Sequence, residues 1–126
     1  MGFDYAKCWA RRPRYEARAG HQAQLRIERS GRLPPIVPAE LINFSRHGAR
    51  LAVGSPLEDG EQFMLLLTHS KAGMALTLAG ELRWQAPTDA GGWLMGCEFV
   101  TEVSMETLGE MFLNEILDDQ PMQPPV

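Results

Sequence analysis

The stretch IVPAELINFSRHGARLAV, which spans residues 36–53, is the most informative part of the chain about its fold because it contains two extended runs and the turn between them. In the second run Ala49, Leu51 and Val53 alternate with other residues, and a period of two is typical of a strand with one buried face. Gly48 interrupts the pattern directly before that run. The stretch therefore predicts two successive strands joined by a short turn.

Four further segments show a strand-like pattern on either side of this stretch. In the segment that ends at Trp84, apolar residues occupy even-numbered positions, which predicts that Trp84 is buried with Leu78 and Leu82. Turn-forming Gly, Pro and Ser residues separate the segments, so the chain is predicted to form six strands. The four additional segments are residues 23–27, 62–68, 76–84 and 93–99.

Near the C-terminus the spacing of the apolar residues changes from the alternation typical of a strand to the period of a helix. Ser104 is a predicted N-cap, and residues 105–117 are predicted to form one amphipathic helix. Residues 120–126 form a proline-rich tail that we expect to be disordered. Six strands and one helix predict a single all-β domain over residues 1–119, built as a small antiparallel barrel or sandwich that the helix covers. The apolar stripe of the helix consists of Leu108, Met111, Phe112 and Ile116.

Length and composition limit the possible classes of protein. The 126 residues fit one domain, and shares of 44% hydrophobic and 22% charged residues are typical of a soluble globular protein. The longest apolar run, residues 63–67, is too short to cross a bilayer, so no membrane insertion is expected. The N-terminus lacks the apolar core of a signal peptide, which favours a cytoplasmic location. Cys8 and Cys97 form no paired C-x-x-C motif, so neither a metal site nor a disulfide framework is expected.

The net charge of −4 is unevenly distributed along the chain. Residues 1–32 contain eight Lys and Arg but three Asp and Glu, a net charge of +5, whereas residues 101–119 contain six acidic residues and no Lys or Arg. A basic end indicates an anionic partner, although a solvated surface of mixed charge explains the same pattern. A pI near 5.3 argues against DNA or RNA, because binding long nucleic acid requires a broad positive surface.

Catalytic chemistry is poorly supported by the sequence. His21, His47 and His69 occur singly in turn-like sequence, without metal-ligand spacing, and are predicted to be surface residues. Cys97 falls on the inward face of a strand, where an inert buried thiol is expected. Ser45 lacks the glycine flanks of a nucleophile elbow. The chain is therefore predicted not to be an enzyme and to use no metal or cofactor.

Two polar motifs remain after these exclusions. The first, R-Y-E-A-R at residues 14–18, belongs to a basic and weakly hydrophobic segment that we expect to be a flexible arm over residues 1–20. The second, N-F-S-R-H-G at residues 43–48, lies where one predicted strand ends and the next begins. Each motif alone has a simple explanation, because arginines are common on solvated segments and Asn, Ser and Gly are common in turns.

In combination, the two motifs resemble the signature of PilZ domains, which have R-x-x-x-R before the first strand and [D/N]-x-S-x-x-G about one hairpin later. The similarity extends over residues 11–117. It implies a six-stranded antiparallel PilZ-type β-barrel with a C-terminal α-helix. It also implies a non-enzymatic bacterial receptor that binds the second messenger cyclic di-GMP. The matching residues are Arg14, Arg18, Asn43, Ser45 and Gly48.

The resemblance implies that these five residues contact the ligand, and their chemistry agrees. An arginine can bind guanine O6 and N7 or a phosphate, so Arg14 and Arg18 on the arm are expected to close over the ligand. Asn43 can donate to and accept from a guanine edge, and Ser45 offers a hydroxyl. Gly48 allows a close backbone approach or a positive φ. The reordered arm is then expected to alter the binding of a downstream effector protein.

Three further residues are weaker candidates for ligand contacts. Arg12 is followed by Pro13, at a position where many PilZ domains have an additional arginine, and the proline favours one ligand molecule per site rather than two. Trp84 is a candidate for stacking on a base, with burial in the core as the alternative. Arg46, like Arg50, is either a source of positive charge near the ligand or a solvated residue at a strand end.

Two other functions stay open on the sequence alone. A ligand-independent PilZ adaptor would act through protein–protein contacts. A small barrel that binds single-stranded nucleic acid would need aromatic side chains exposed on strand faces. The aromatic residues of the later strands, Trp84, Trp93 and Phe99, are instead predicted to point inward.

Overall fold

The structure, a computed structural model, describes residues 13–28, 35–69 and 73–122. These residues form eight strands and one helix, α1, which lies between the last two strands at Met105–Leu113. None of the described segments forms a helix long and apolar enough to span a bilayer. The strands are β1 (Tyr15–Ala17), β2 (Gln22–Ile27), β3 (Ile36–Phe44), β4 (Gly48–Val53), β5 (Gln62–His69), β6 (Met74–Pro87), β7 (Trp93–Phe99) and β8 (Leu117–Pro121).

Six of the strands close into an antiparallel barrel. They are hydrogen bonded in the order β2-β5-β6-β7-β4-β3, and β3 pairs back with β2. β2 therefore uses both of its edges, with Leu25 opposite Val37 of β3 and also opposite Leu65 of β5. Closure removes the unpaired edges that an open sheet would expose. The predicted six-stranded antiparallel barrel with a C-terminal helix is confirmed.

The core follows the predicted alternation. Leu25 and Ile27 of β2 are buried and the residue between them is exposed, as the period of two requires. On α1, Leu108 and Met111 belong to the same apolar core as the barrel strands. The helix thus packs its apolar side against the barrel, which is the position that its sequence pattern predicts.

Two short strands extend the barrel beyond the six that were predicted. The end of β3 pairs with β1, where Tyr15 lies opposite Phe44, whereas the beginning of β3 pairs with β2. β8 pairs with the other edge of β1, where Ala17 lies opposite Leu117. Tyr15 also packs edge-on against Phe112 of α1, with ring centroids 4.7 Å apart. β1 therefore links the barrel to the C-terminal part of the chain.

These strands correct two predictions. Residues 15–17 belong to the predicted flexible arm and residues 120–121 to the predicted disordered tail, yet both are paired in strands. Three residues are too few to show an alternating pattern, and their pairing depends on the part of the β3 edge that β2 leaves unpaired. The arm before residue 13 and the tail after residue 122 lie outside the described residues.

Helix α1 ends earlier than predicted. Ser104 is confirmed as the N-cap, because its side chain accepts a hydrogen bond from the Thr107 backbone N–H. After Leu113, Glu115 takes a φ of 58°, in the left-handed region, and the chain turns toward β8. Ile116 is buried although it lies outside the helix, which explains why it fitted the predicted apolar stripe.

The histidines are less exposed than predicted. His69 is buried, with 8% of its surface exposed, and His21 and His47 are half-buried. His21 and His47 each take part in a polar contact, and none of the three lacks an interaction partner. The prediction of surface histidines is wrong for His69, because this residue ends β5 and faces the interior instead of lying in a turn. His21 and His47 keep part of their surface exposed.

Candidate functional site

The two polar motifs meet where β1 joins the end of β3. Arg14 directly precedes β1, and the pairing of β1 with β3 brings it beside the second motif. The Arg14 Nε donates a hydrogen bond to Asn43 Oδ1 at 2.7 Å, and the Arg14 Nη1 lies 3.4 Å from Ser45 Oγ. Side chains that are 29 and 31 residues apart in the sequence are therefore in direct contact.

Hydrogen bonds centred on Ser45 hold the turn between β3 and β4. The Ser45 N–H donates to the Gly48 carbonyl oxygen at 2.8 Å, and the Ser45 hydroxyl lies 3.3 Å from the same oxygen. The hydroxyl also accepts from the His47 N–H at 3.3 Å. Together with the contact from Arg14, these bonds use the one donor and both acceptor positions of the hydroxyl. The orientation of Ser45 is therefore well defined.

Gly48 is required by a lack of space. A Cβ at this position would clash with the backbone carbonyl oxygen of Cys97 on β7. Gly48 lies opposite Glu98 in the pairing of β4 with β7, and the neighbouring Phe99 N–H donates to the His47 carbonyl at 2.7 Å. Of the two roles that the sequence suggested for Gly48, the structure shows the close backbone approach.

Arg14 is a half-buried cation with no carboxylate partner in the described part of the chain. Burial lowers its pKa, and the positive charge of Arg50 lowers that pKa further. An arginine stays protonated at neutral pH despite such a shift, so two positive charges remain near each other. A bound anion would offset both the burial and the repulsion. The described residues also contain no group of His, Cys, Asp and Glu that could hold a metal ion.

The strand register continues from Asn43 across the sheet. Asn43 of β3 lies opposite Arg50 of β4. Arg50 lies opposite Gly96 of β7, which in turn lies opposite Trp84 of β6. Directly opposed residues of antiparallel strands point to the same face, and strands lie about 4.8 Å apart, so this row is about 14 Å long. We call these four residues the site row.

Trp84 is exposed, which corrects the prediction that it is buried. The register between β6 and β7 shifts between Leu82 and Trp84, and Leu82 is 4% exposed whereas Trp84 is 41% exposed. The indole lies over Gly96, where a Cβ would clash with the ring. The guanidinium carbon of Arg50 is 5.6 Å from the centre of the indole, within the range of a cation–π contact. An aromatic surface therefore lies beside Arg50.

The contribution of Gly96 was missed by the sequence analysis, and Arg50 was left undecided there. A glycine within a strand often marks a close approach of another group, so the position of Gly96 did carry a usable signal. Which group approaches it depends on the shifted register of β6, and nothing local in the sequence shows that shift.

Arg18, the second arginine of the first motif, does not join the contact made by Arg14. Its backbone N–H donates to the Ile116 carbonyl at 2.7 Å, and its own carbonyl lies 2.8 Å from His21 Nδ1. Its side chain is exposed. The structure thus brings Arg14 to Asn43 and leaves Arg18 at the other end of β1.

Arg46 is engaged away from the site row. Its Nε donates to the Val103 carbonyl at 2.7 Å, and its Nη2 lies 3.2 Å from the Glu102 carboxylate. His47 lies 3.4 Å from the same carboxylate. These contacts connect the β3–β4 turn to the segment before α1. Arg12, the remaining predicted contact, lies outside the described residues.

Cys97 lies beneath the site, and we expect its thiol to be unreactive in the folded protein. It is 7% exposed, and burial raises its pKa to about 11, so the thiol stays protonated at pH 8. Iodoacetamide at pH 8, followed by mass-spectrometric mapping, should leave Cys97 unmodified until guanidinium unfolds the protein. Alkylation of native Cys97 at the rate of an unfolded cysteine would contradict this burial.

Comparison with known proteins agrees with the geometry. A family model described as PilZ domain matches residues 11–117, a span that includes both motifs and all six barrel strands. A search of curated proteins finds no match. PilZ domains are non-enzymatic binding domains and constitute a receptor family for cyclic di-GMP. With both motifs in contact on a six-stranded barrel, the chain belongs to the PilZ domain family.

Proposed function

We propose that this protein is a cytoplasmic bacterial receptor for cyclic di-GMP and that it acts without catalysis. The observation that carries the proposal is the contact of Arg14 with Asn43 and Ser45, next to Arg50. Cyclic di-GMP has two phosphates and two guanines. The site offers what such a ligand needs, namely cations without carboxylate partners in the described part of the chain, amide and hydroxyl groups, and an exposed indole.

Binding requires Arg14 to move. Asn43 and Ser45 are each 3% exposed while Arg14 contacts them, so a ligand reaches them only after the guanidinium swings outward. Arg14 then exchanges an amide acceptor for a phosphate or a guanine edge, which is a stronger hydrogen bond when the acceptor is charged. Arg18, with its exposed side chain, supplies the second cation of the motif.

Movement of Arg14 provides a route for the signal. The residue after it, Tyr15, pairs with Phe44 of β3, packs against Phe112 of α1, and belongs to the strand that pairs with β8. A ligand that draws Arg14 outward therefore disturbs contacts between the barrel and the C-terminal segment. We propose that this rearrangement alters the binding of a downstream effector protein.

Trp84→Ala is expected to weaken cyclic di-GMP binding by about tenfold, because stacking of a base on an aromatic side chain contributes about 1–3 kcal/mol. Isothermal titration calorimetry measures the change. Gly96→Ala provides an independent variant, because its Cβ displaces the indole without removing it. Ile36→Ala, which removes an exposed apolar residue from the far end of β3, is the control and should bind normally. Normal affinity in both Trp84→Ala and Gly96→Ala would exclude a stacking role.

The test of the proposed function is a calorimetric titration of the protein with cyclic di-GMP, with GTP and cyclic GMP as controls. We expect saturable binding of cyclic di-GMP at one molecule per site and no comparable binding of either control. The melting temperature should rise with ligand concentration, because a ligand that binds only the folded state stabilises it. If the titration gives no heat of binding and the melting temperature does not change, the receptor function is rejected and a ligand-independent adaptor is favoured.

A further inference from the structure

His21 connects the turn after β1 to β3 through both of its ring nitrogens. Nδ1 lies 2.8 Å from the Arg18 carbonyl oxygen, and the Leu41 backbone N–H donates to Nε2 at 3.1 Å. A carbonyl oxygen can only accept a hydrogen bond, and a backbone N–H can only donate one. The neutral ring must therefore carry its proton on Nδ1 and none on Nε2.

This contact holds the backbone of Arg18 in place. The Arg18 N–H is already bound to the Ile116 carbonyl at 2.7 Å, so His21 completes the second of its two backbone hydrogen bonds. The Arg18 side chain is exposed, and no carboxylate pairs with it in the described ranges. An exposed cation on a fixed backbone is well placed to contact an anion, since less conformational entropy is lost on binding.

We propose that His21 positions Arg18 for the ligand and thereby makes the affinity for cyclic di-GMP fall at acidic pH; this inference rests on the proposed function. A protonated imidazole carries hydrogens on both nitrogens, so its Nε2–H would face the Leu41 N–H as donor against donor, although its Nδ1–H could still donate to the Arg18 carbonyl. The ring relieves this repulsion by turning away from Leu41, and that movement breaks its hydrogen bond to Arg18. At low pH the unliganded protein takes up this proton and the contact opens. Ligand binding must then expel the proton, so the affinity for cyclic di-GMP decreases as the pH falls.

Other charged and titratable groups lie on the segments around His21. The ring of His69 on β5 is close to this turn, because a Cβ at Gly20 would be 3.2 Å from its Nε2. A second histidine can contribute its own pH dependence, so the experiment must identify which ring responds. The groups on the surrounding segments are Glu16, Arg18, Glu40, His69 and Glu115.

The first experiment examines the ring directly and needs no ligand. Long-range ¹H–¹⁵N spectra of the ¹⁵N-labelled full chain at pH 7.5 should show a neutral His21 with its proton on Nδ1. A proton on Nε2, or a protonated ring at this pH, would overturn the proposal, because Leu41 would then have no acceptor.

The second experiment measures cyclic di-GMP affinity by calorimetry at pH 7.5 and pH 5.5. We expect the wild type to bind about three- to tenfold more weakly at pH 5.5, which corresponds to the loss of one hydrogen bond. His21→Asn keeps a donor near the Nδ1 position but cannot titrate, so it should bind equally at both pH values. His47→Asn, the matched control, removes a half-buried histidine outside this contact and should keep the wild-type difference.

The outcomes distinguish this inference from the proposed function. Wild-type binding that is equally tight at both pH values, or an unchanged pH difference in His21→Asn, overturns the role of His21 alone. Absence of wild-type binding at both pH values overturns the proposed function together with it. Thermal melts establish whether His21→Asn is folded. If it is not, His21→Gln, which keeps an acceptor for the Leu41 N–H, should show the same loss of pH dependence.

Discussion

Replacing Arg14 with alanine is expected to weaken cyclic di-GMP binding by about 10- to 100-fold. A hydrogen bond that involves a charged group contributes about 1.5–3 kcal/mol, and about 1.4 kcal/mol corresponds to a factor of ten in Kd. Arg14 is the cation that contacts Asn43 and Ser45, and its charge interacts electrostatically with the charge of Arg50. Under the proposed function, the substitution therefore removes both a ligand contact and one of the positive charges of the site. Calorimetric titration measures the effect.

Two variants separate geometry from charge. Arg14→Lys keeps the charge but lacks the planar guanidinium, so its affinity should lie between those of the wild type and Arg14→Ala. Arg26→Ala removes an exposed arginine opposite Ile36, which is about 23 Å along β3 from Asn43, and should bind normally. Wild-type affinity in a folded Arg14→Ala protein would show that the ligand binds elsewhere.

Replacing Gly48 with alanine is expected to destabilise the fold itself, by about 1–3 kcal/mol. The added Cβ would clash with the carbonyl oxygen of Cys97, which is backbone and cannot move aside as a flexible side chain can. Relief requires β4 and β7 to separate at the end where the Phe99 N–H binds the His47 carbonyl. The melting temperature should fall by roughly 5–15 °C, as circular dichroism can measure.

Gly54→Ala is the matched control for this prediction. A Cβ at Gly54 meets no atom within 4 Å, so the same chemical change should leave the melting temperature nearly unchanged. A Gly48→Ala protein as stable as the wild type would contradict the close approach of the two strands. Equal losses in both variants would point to a general effect of alanine rather than to the clash.

Much of the barrel could be predicted from sequence because a strand with one buried face has a local signature. The alternation in residues 49–53 and the cap at Ser104 reflect geometry within a few residues, and both were confirmed. β1 and β8 escaped prediction for the opposite reason. Their pairing depends on the remainder of the β3 edge, which exists only after β2 has paired with its first part.

The candidate site was predicted less completely than the fold. The motifs led to Arg14, Asn43 and Ser45, which the structure brings into contact. The alternation of apolar residues along β6 predicted that Trp84 lies in the core. The register shift after Leu82 turns its side chain outward instead. A shift of one residue moves every later side chain to the opposite face of the sheet, and a shift is defined only by the pairing of β6 with β7.

The strand periods, the helix and the residue types of both motifs can be predicted from the amino-acid sequence, because each depends on neighbours along the chain. Three contacts became visible only in the folded chain: Arg14 with Asn43, Arg50 with Trp84, and His21 with Arg18. Barrel closure and strand register determine which distant residues meet. A contact between residues that are distant in the sequence stabilises the protein only when both residues are in place, so it produces no pattern in the sequence around either of them.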